Sequence, residues 1–150
     1  GVSARSMVAV GVRKVEMEEV FEQSDIISIH APELPSTYHI VNEASIASMK
    51  DGVILINTAR GTAIDEQALA KALLSGKIKT ACLDVYDPEP PCADNPLLKL
   101  DNCIMTPHIA GQAANGLQRI GYNCYCQLLH FLAGERMQGE ITRDMLNHIA

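Results

Sequence analysis

The sequence has no basic run, and its formal net charge is −6, which argues against a nucleic-acid partner. No apolar run is long enough to cross a bilayer, so no membrane partner is expected. The first residues show none of the charged-then-apolar patterning of a secretory leader. There is no C-x-x-C pair, and the five cysteines, Cys82, Cys92, Cys103, Cys124 and Cys126, make an odd number. They read as free thiols in a reducing, cytoplasmic compartment. Cys126 and His130 stand one helical turn apart, but a lone pair at that spacing is more often core than metal site, so no metal is expected. No G-x-G-x-x-G occurs either. The chain therefore lacks the loop whose amides and following helix start hold a pyrophosphate.

What is present suits one globular domain: 150 residues, 47% hydrophobic and 20% charged. The chain is organised around Val53-Ile54-Leu55-Ile56-Asn57-Thr58-Ala59-Arg60-Gly61. Four apolar residues together, three of them β-branched, read as a strand buried on both faces. That strand runs into a hydroxyl, a small residue, a guanidinium and a glycine. Arg is seldom set against a core without a partner or a ligand. At the end of a parallel strand, Arg60 would lie where open α/β sheets bind ligands.

Around this stretch the periodicity alternates. Residues 15–23 place Met17, Val20 and Phe21 at helical spacing, with glutamates opposite. Residues 26–30 form a β-branched strand that Pro32 stops. Asn42 can cap a helix over 43–49, and Lys50-Asp51-Gly52 turns into the central strand. Asp65 and Gly76 bound a helix carrying Leu69, Ala72 and Leu73. Strands over 80–85 and 102–106 follow, separated by a proline-rich loop. Residues 7–10 fit a short strand or a helix end. Leu117, Ile120, Cys124, Leu128 and Phe131 share a long helical stripe ended by Gly134, and 143–149 form a short helix with Thr142 as its cap. Such alternation predicts an α/β fold, with crossover helices on a parallel sheet and a C-terminal helical segment.

In a parallel sheet the strand ends share one edge. That edge would receive His30-Ala31-Pro32, Thr58-Ala59-Arg60-Gly61, Asp84 leading to Glu89, and Thr106-Pro107-His108 leading to Ala110-Gly111. Each residue alone has a plain structural reading: Glu89 a solvated loop acid, His108 a loop cap, Arg60 an ion-pair partner. Asp84 inside an apolar strand is different, because a buried carboxylate needs partners. Together they suit small-acid chemistry. A guanidinium grips a carboxylate by two parallel hydrogen bonds. A His beside a Glu is favoured in its protonated form and can give a proton to an oxygen becoming an alkoxide.

Asn57-Thr58-Ala59-Arg60-Gly61, Leu83-Asp84-Val85-Tyr86 running into Glu89-Pro90, and Thr106-Pro107-His108-Ile109 resemble the second half of a D-isomer-specific 2-hydroxyacid dehydrogenase. The resemblance spans roughly residues 11–121. It implies part of a Rossmann-type, doubly wound parallel sheet. Residues 1–112 would be the C-terminal portion of the dinucleotide-binding domain. Residues 113–150 would be a helical segment returning toward a substrate domain. The implied activity is hydride transfer between NAD, or NADP, and a small 2-hydroxy or 2-oxo acid. Arg60 would bind the substrate carboxylate, His108 would be the acid/base, and Glu89 would hold His108. Ala31, Pro32, Thr58, Ala59, Arg60, Asp84, His108, Ile109, Ala110 and Gly111 would line the cofactor, with Asp84 at the nicotinamide end. The resemblance also implies a homodimer. The glycine-rich loop and the ribose-reading acid would lie in a preceding segment, so the chain on its own is expected to be an inactive part of a longer enzyme. Where many members have Pro-Leu-Thr, this chain has Pro32-Glu33-Leu34. A non-catalytic dinucleotide-sensing or corepressor-like module is the competing reading. A hydrolase is disfavoured because no serine or cysteine sits in a nucleophile elbow.

Overall fold

The computed structural model describes residues 4–112, 115–143 and 145. Two short helices, α1 (Ala4–Ala9) and α2 (Met17–Gln23), precede β1 (Ile26–Ile29). There follow α3 (Glu43–Ser48), β2 (Val53–Asn57), α4 (Glu66–Ser75), β3 (Ile78–Leu83), β4 (Cys103–Met105) and α5 (Gly116–Leu132). The four strands form one sheet in the order β1-β2-β3-β4, and every pairing is parallel. A parallel neighbour requires a crossover, and α3 and α4 supply the first two. The β3–β4 connection has only a 3-10 turn, Pro96–Lys99.

Local chemistry sets the helix ends. The Asn42 side chain accepts from the Ala44 and Ser45 amides, while Ser45 Oγ accepts from the Asn42 amide, a reciprocal capping box. Asp65 accepts from the Gln67 and Ala68 amides, and Gly76 closes α4 at φ 78°. One face of each strand packs under the helices. Ile27, Ile29, Leu55, Ala81 and Leu83 join Phe21 of α2, Ile46 of α3 and Leu69 and Leu73 of α4 in one core. Leu55, Leu69 and Ile78 are fully buried, each worth about 1.5–3 kcal/mol.

Of the two readings of residues 7–10 the helix end is the one seen, since α1 closes at Ala9. Two details differ from the sequence expectation. β3 starts two residues earlier and ends two earlier than 80–85, because an irregularity between Val53 and Ile54 lets Ile78 pair with Val53. Asp84 and Val85 therefore lie beyond the ladder, although the Asp84 amide still donates to the Asn57 carbonyl at 2.9 Å. β2 is buried on one face only: Val53, Leu55 and Asn57 are buried, Ile54 and Ile56 half-buried. On the same side Ile26 is 59% and Ile104 56% exposed. α5 carries the expected apolar stripe, and none of its residues is buried. Its main neighbour is the 3-10 turn Ala110–Gln112. Most of the short helix expected over 143–149 lies outside the described residues.

The turn after β2 touches the chain after β3. A Cβ placed on Gly61 would stand 1.9 Å from the Tyr86 carbonyl oxygen and 2.7 Å from the Asp87 nitrogen. Nothing but glycine allows that approach. Gly61→Ala should lower the unfolding free energy by about 2 kcal/mol or more. A urea melt measures this, and an unshifted midpoint would mean the two turns do not press together.

Candidate active site

The register pairs Ile29 with Asn57, Asn57 with Leu83 and Leu83 with Met105. The last residues of all four strands are thus level, and each strand delivers its next loop to the same edge.

The loop after β1 contains His30, whose Nε2 lies 2.9 Å from Ser28 Oγ, then the half-buried Ala31 and Pro32. Thr37 Oγ1 donates to the Pro32 carbonyl at 2.6 Å and accepts from the Leu34 amide at 2.9 Å, which braces the turn.

After β2, Asn57 is fully buried and folds the next three residues around itself. Its Oδ1 accepts from the Ala59 amide at 3.0 Å and its Nδ2 donates to the Arg60 carbonyl at 2.8 Å. This turn holds the backbone of Arg60 while leaving its side chain exposed. Arg60 Nη1 donates to the Ala59 carbonyl at 2.7 Å, and Nε stands 3.8 Å from Glu33 Oε2.

After β3 comes Asp84, only 3% exposed. Its Oδ1 accepts from Thr106 Oγ1 at 2.5 Å and the Ile109 amide at 2.8 Å, and Oδ2 accepts from the Ala110 amide at 2.8 Å. The residue chosen for the cofactor's edge is thus first the anchor of the neighbouring loop. A carboxylate has about four acceptor positions, so one on Oδ2 remains. Tyr86 ties the same two loops together, its hydroxyl 2.5 Å from the Thr106 carbonyl oxygen. Glu66, in the first turn of α4, accepts from the Asp87 amide at 3.1 Å and from Asn95 Nδ2 at 2.5 Å. The proline-rich loop bearing Glu89 is pinned there.

After β4, the backbone of His108 is left-handed, with φ 53°. A side chain at that φ is uncommon and strained. The Asp84 bonds to the two following amides hold it so. The result is a contact of 2.6 Å between His108 Nδ1 and Glu89 Oε1, both side chains partly exposed. A carboxylate only accepts, so Nδ1 carries the hydrogen and Nε2 is the ring nitrogen free to act. Thr58, Asp84, Thr106 and Ala110 line a recess of about 110 Å³ beside this loop. Ile109, Ala110 and Gly111 are exposed next to it.

The chain matches, over residues 2–110, the family described as D-isomer specific 2-hydroxyacid dehydrogenase, NAD binding domain. This chain belongs to that family. It is 49% identical over 112 residues to hydroxypyruvate reductase of Thermotoga maritima, covering 73% of this chain and 37% of that protein. It is 42% identical over 120 residues to D-3-phosphoglycerate dehydrogenase of Archaeoglobus fulgidus, covering 80% and 23%. The apo crystal structure of Rhodotorula graminis D-mandelate dehydrogenase superposes with a TM-score of 0.82 at 32% identity, covering 95% of this chain and 42% of that one. The chain thus spans well under half the length of each. The family match includes all four loops described above and stops before α5.

Sequence reasoning placed Arg60, Asp84, Glu89 and His108 at this edge without foreseeing their supports. Asn57, Glu66 and Thr106 were not foreseen as the supports of these loops. Asn57 carries a signal in hindsight, since an Asn ending an apolar run can fold the next residues onto its side chain. Glu66 has none, because an acid in a first helical turn is ordinary.

Burial pushes the Asp84 carboxyl up, but the Thr106 hydroxyl, the Ala110 and Ile109 amides and the His108 charge together hold it below the ordinary 3.8. A lowered folded value means the latch is complete above the unfolded carboxylate's pKa of about 3.9 and is lost as pH falls through the lower folded one. The Ile109 and Ala110 amides should therefore stay hydrogen-bonded from neutrality down and lose their exchange protection together only below about pH 4. Asp84→Asn, which turns a donor toward one of the two amides, should weaken the latch by about 1–3 kcal/mol and abolish that pH dependence.

Proposed function

We propose that this chain supplies the acid/base and carboxylate-binding groups of an NAD- or NADP-dependent D-2-hydroxyacid dehydrogenase. The observation that carries the reading is the His108–Glu89 contact at the strand-end edge. The nicotinamide, when bound, supplies the hydride that goes to the carbonyl carbon of a small 2-oxo acid. The rest falls to the chain. Arg60 grips the substrate carboxylate through parallel N–H groups and polarises the carbonyl beside it. His108 Nε2 gives a proton to the carbonyl oxygen as it becomes an alkoxide, and takes it back in the oxidative direction. Glu89 keeps the ring oriented, with Nδ1 as the nitrogen that carries the hydrogen toward it.

The residues fit a cofactor at this edge. Thr58, Ala59, Ala110 and Gly111 present no bulky side chain, Ala31 and Pro32 flank them, and Ile109 adds an exposed apolar surface. The remaining Oδ2 position of Asp84 suits a carboxamide N–H. The pyrophosphate is another matter, since this sequence has no glycine-rich cradle. On this reading residues 1–112 belong to the dinucleotide domain, and residues 113–150 lead toward the substrate domain. The chain alone then lacks what it needs for turnover.

In the intact protein, His108→Asn should reduce kcat/KM by about 10²–10⁴-fold. Arg60→Ala should raise KM for the 2-oxo acid and lower kcat, and unchanged values of both would sink the assigned roles. NADH titrated into residues 1–150 alone should bind more weakly than micromolar, and submicromolar affinity would contradict the missing-cradle argument.

A further inference from the structure

The loop after β1 carries an acid that the proposed reaction does not use. Glu33 stands between two tied segments. The Pro32 carbonyl accepts from Thr37 Oγ1, and the Leu34 carbonyl accepts from the Thr37 and Tyr38 amides at 3.0 and 3.1 Å. Its backbone is therefore fixed on both sides. Its carboxylate reaches across the edge to within 3.8 Å of Arg60 Nε. That is a charge contact rather than a hydrogen bond. With side chains 45% and 53% exposed, the pair adds little to stability.

The consequence lies in the local field. Arg60 Nη1 is already turned to the Ala59 carbonyl, and the Nε edge already faces a negative charge. A carboxylate gripped by this guanidinium would come within about 7 Å of Glu33. One negative charge on the ligand is balanced by Arg60. A second negative charge meets the Glu33 carboxylate.

We propose that Glu33 is a specificity-determining residue, making the Arg60 site select monoanionic 2-oxo acids over those with a second carboxylate or a phosphate. This rests on Arg60 as the carboxylate grip. The discrimination should be modest, about three- to eightfold for one extra charge at that distance in a largely hydrated site, and should shrink with added salt.

Oxamate and oxalate test it, being nearly the same shape and differing by one charge. Each is titrated into the intact protein with NADH bound, following the Arg60 Nε–Hε resonance in wild type and Glu33→Gln, and NADH fluorescence in wild type and Arg60→Gln. The expected result is that Glu33→Gln tightens oxalate about three- to eightfold more than oxamate. An oxalate-to-oxamate affinity ratio that stays the same in Glu33→Gln overturns the charge filter, as does failure of either anion to perturb Arg60 in wild type. If Arg60→Gln binds both anions as tightly as wild type, by NADH fluorescence, the carboxylate-grip reading itself is wrong. That outcome is distinct from a Glu33 variant without effect.

Discussion

One buried carboxylate holds this edge together. Asp84 leaves β3 and accepts hydrogen bonds from Thr106, Ile109 and Ala110, all in the loop after β4. Without those bonds the loop would have no reason to keep His108 in a left-handed conformation that its side chain disfavours. The contact between His108 and Glu89 cannot do that work itself. Two partly exposed side chains gain little from meeting, and must lose rotamer freedom to do so. The 2.6 Å separation follows from backbone held on both sides: Asp84 under His108, and Glu66 under the loop bearing Glu89. Tyr86 closes the arrangement by linking the two loops directly.

The sheet explains why these supports lie within reach of one another. Parallel strands with level ends place successive loops side by side, whatever their separation in sequence. Residues 84 and 110, or 66 and 95, become neighbours because β2, β3 and β4 end at the same height. Gly61 sharpens this. Its lack of a side chain lets the turn after β2 lie against the backbone of Tyr86 and Asp87, so the Arg60 turn and the Glu89 loop share a wall. Asn57, buried at the same height, fixes the turn from within.

Much of this was legible in the sequence, for reasons that particular residues make clear. The caps at Asn42 and Asp65 and the glycine at 76 are local signals, and the structure uses them as read. The four site loops could be placed because strand alternation and parallel pairing fix where the ends go. The illegible part is made of through-space pairs. Nothing in the sequence links Glu66 to Asn95, or Glu33 to Arg60. The early start of β3 depends on a register irregularity opposite Val53, which no propensity reveals. The apolar run of residues 53–56 suggested two buried faces, but periodicity measures apolarity and not what covers it.

The open side of the sheet bears on how far the site can stand on this chain. Ile26, Ile54, Ile56, Cys82 and Ile104 lie on that face, and the stripe of α5 is uncovered too. If the site were anchored there, its geometry would depend on whatever lies against those surfaces. The anchors are elsewhere. Asn57, Asp84 and Tyr86 are all buried, and Leu83 and Tyr86 belong to the core under α3 and α4. Close-packed side chains there resist small displacements, because any shift opens a void or creates a clash. The His108–Glu89 pair and the Arg60 turn are therefore positioned from the covered side, while the recess beside Thr58, Ile104 and Thr106 belongs to the open one. Changes at the open face should alter what the edge can hold more than how His108, Glu89 and Arg60 are set.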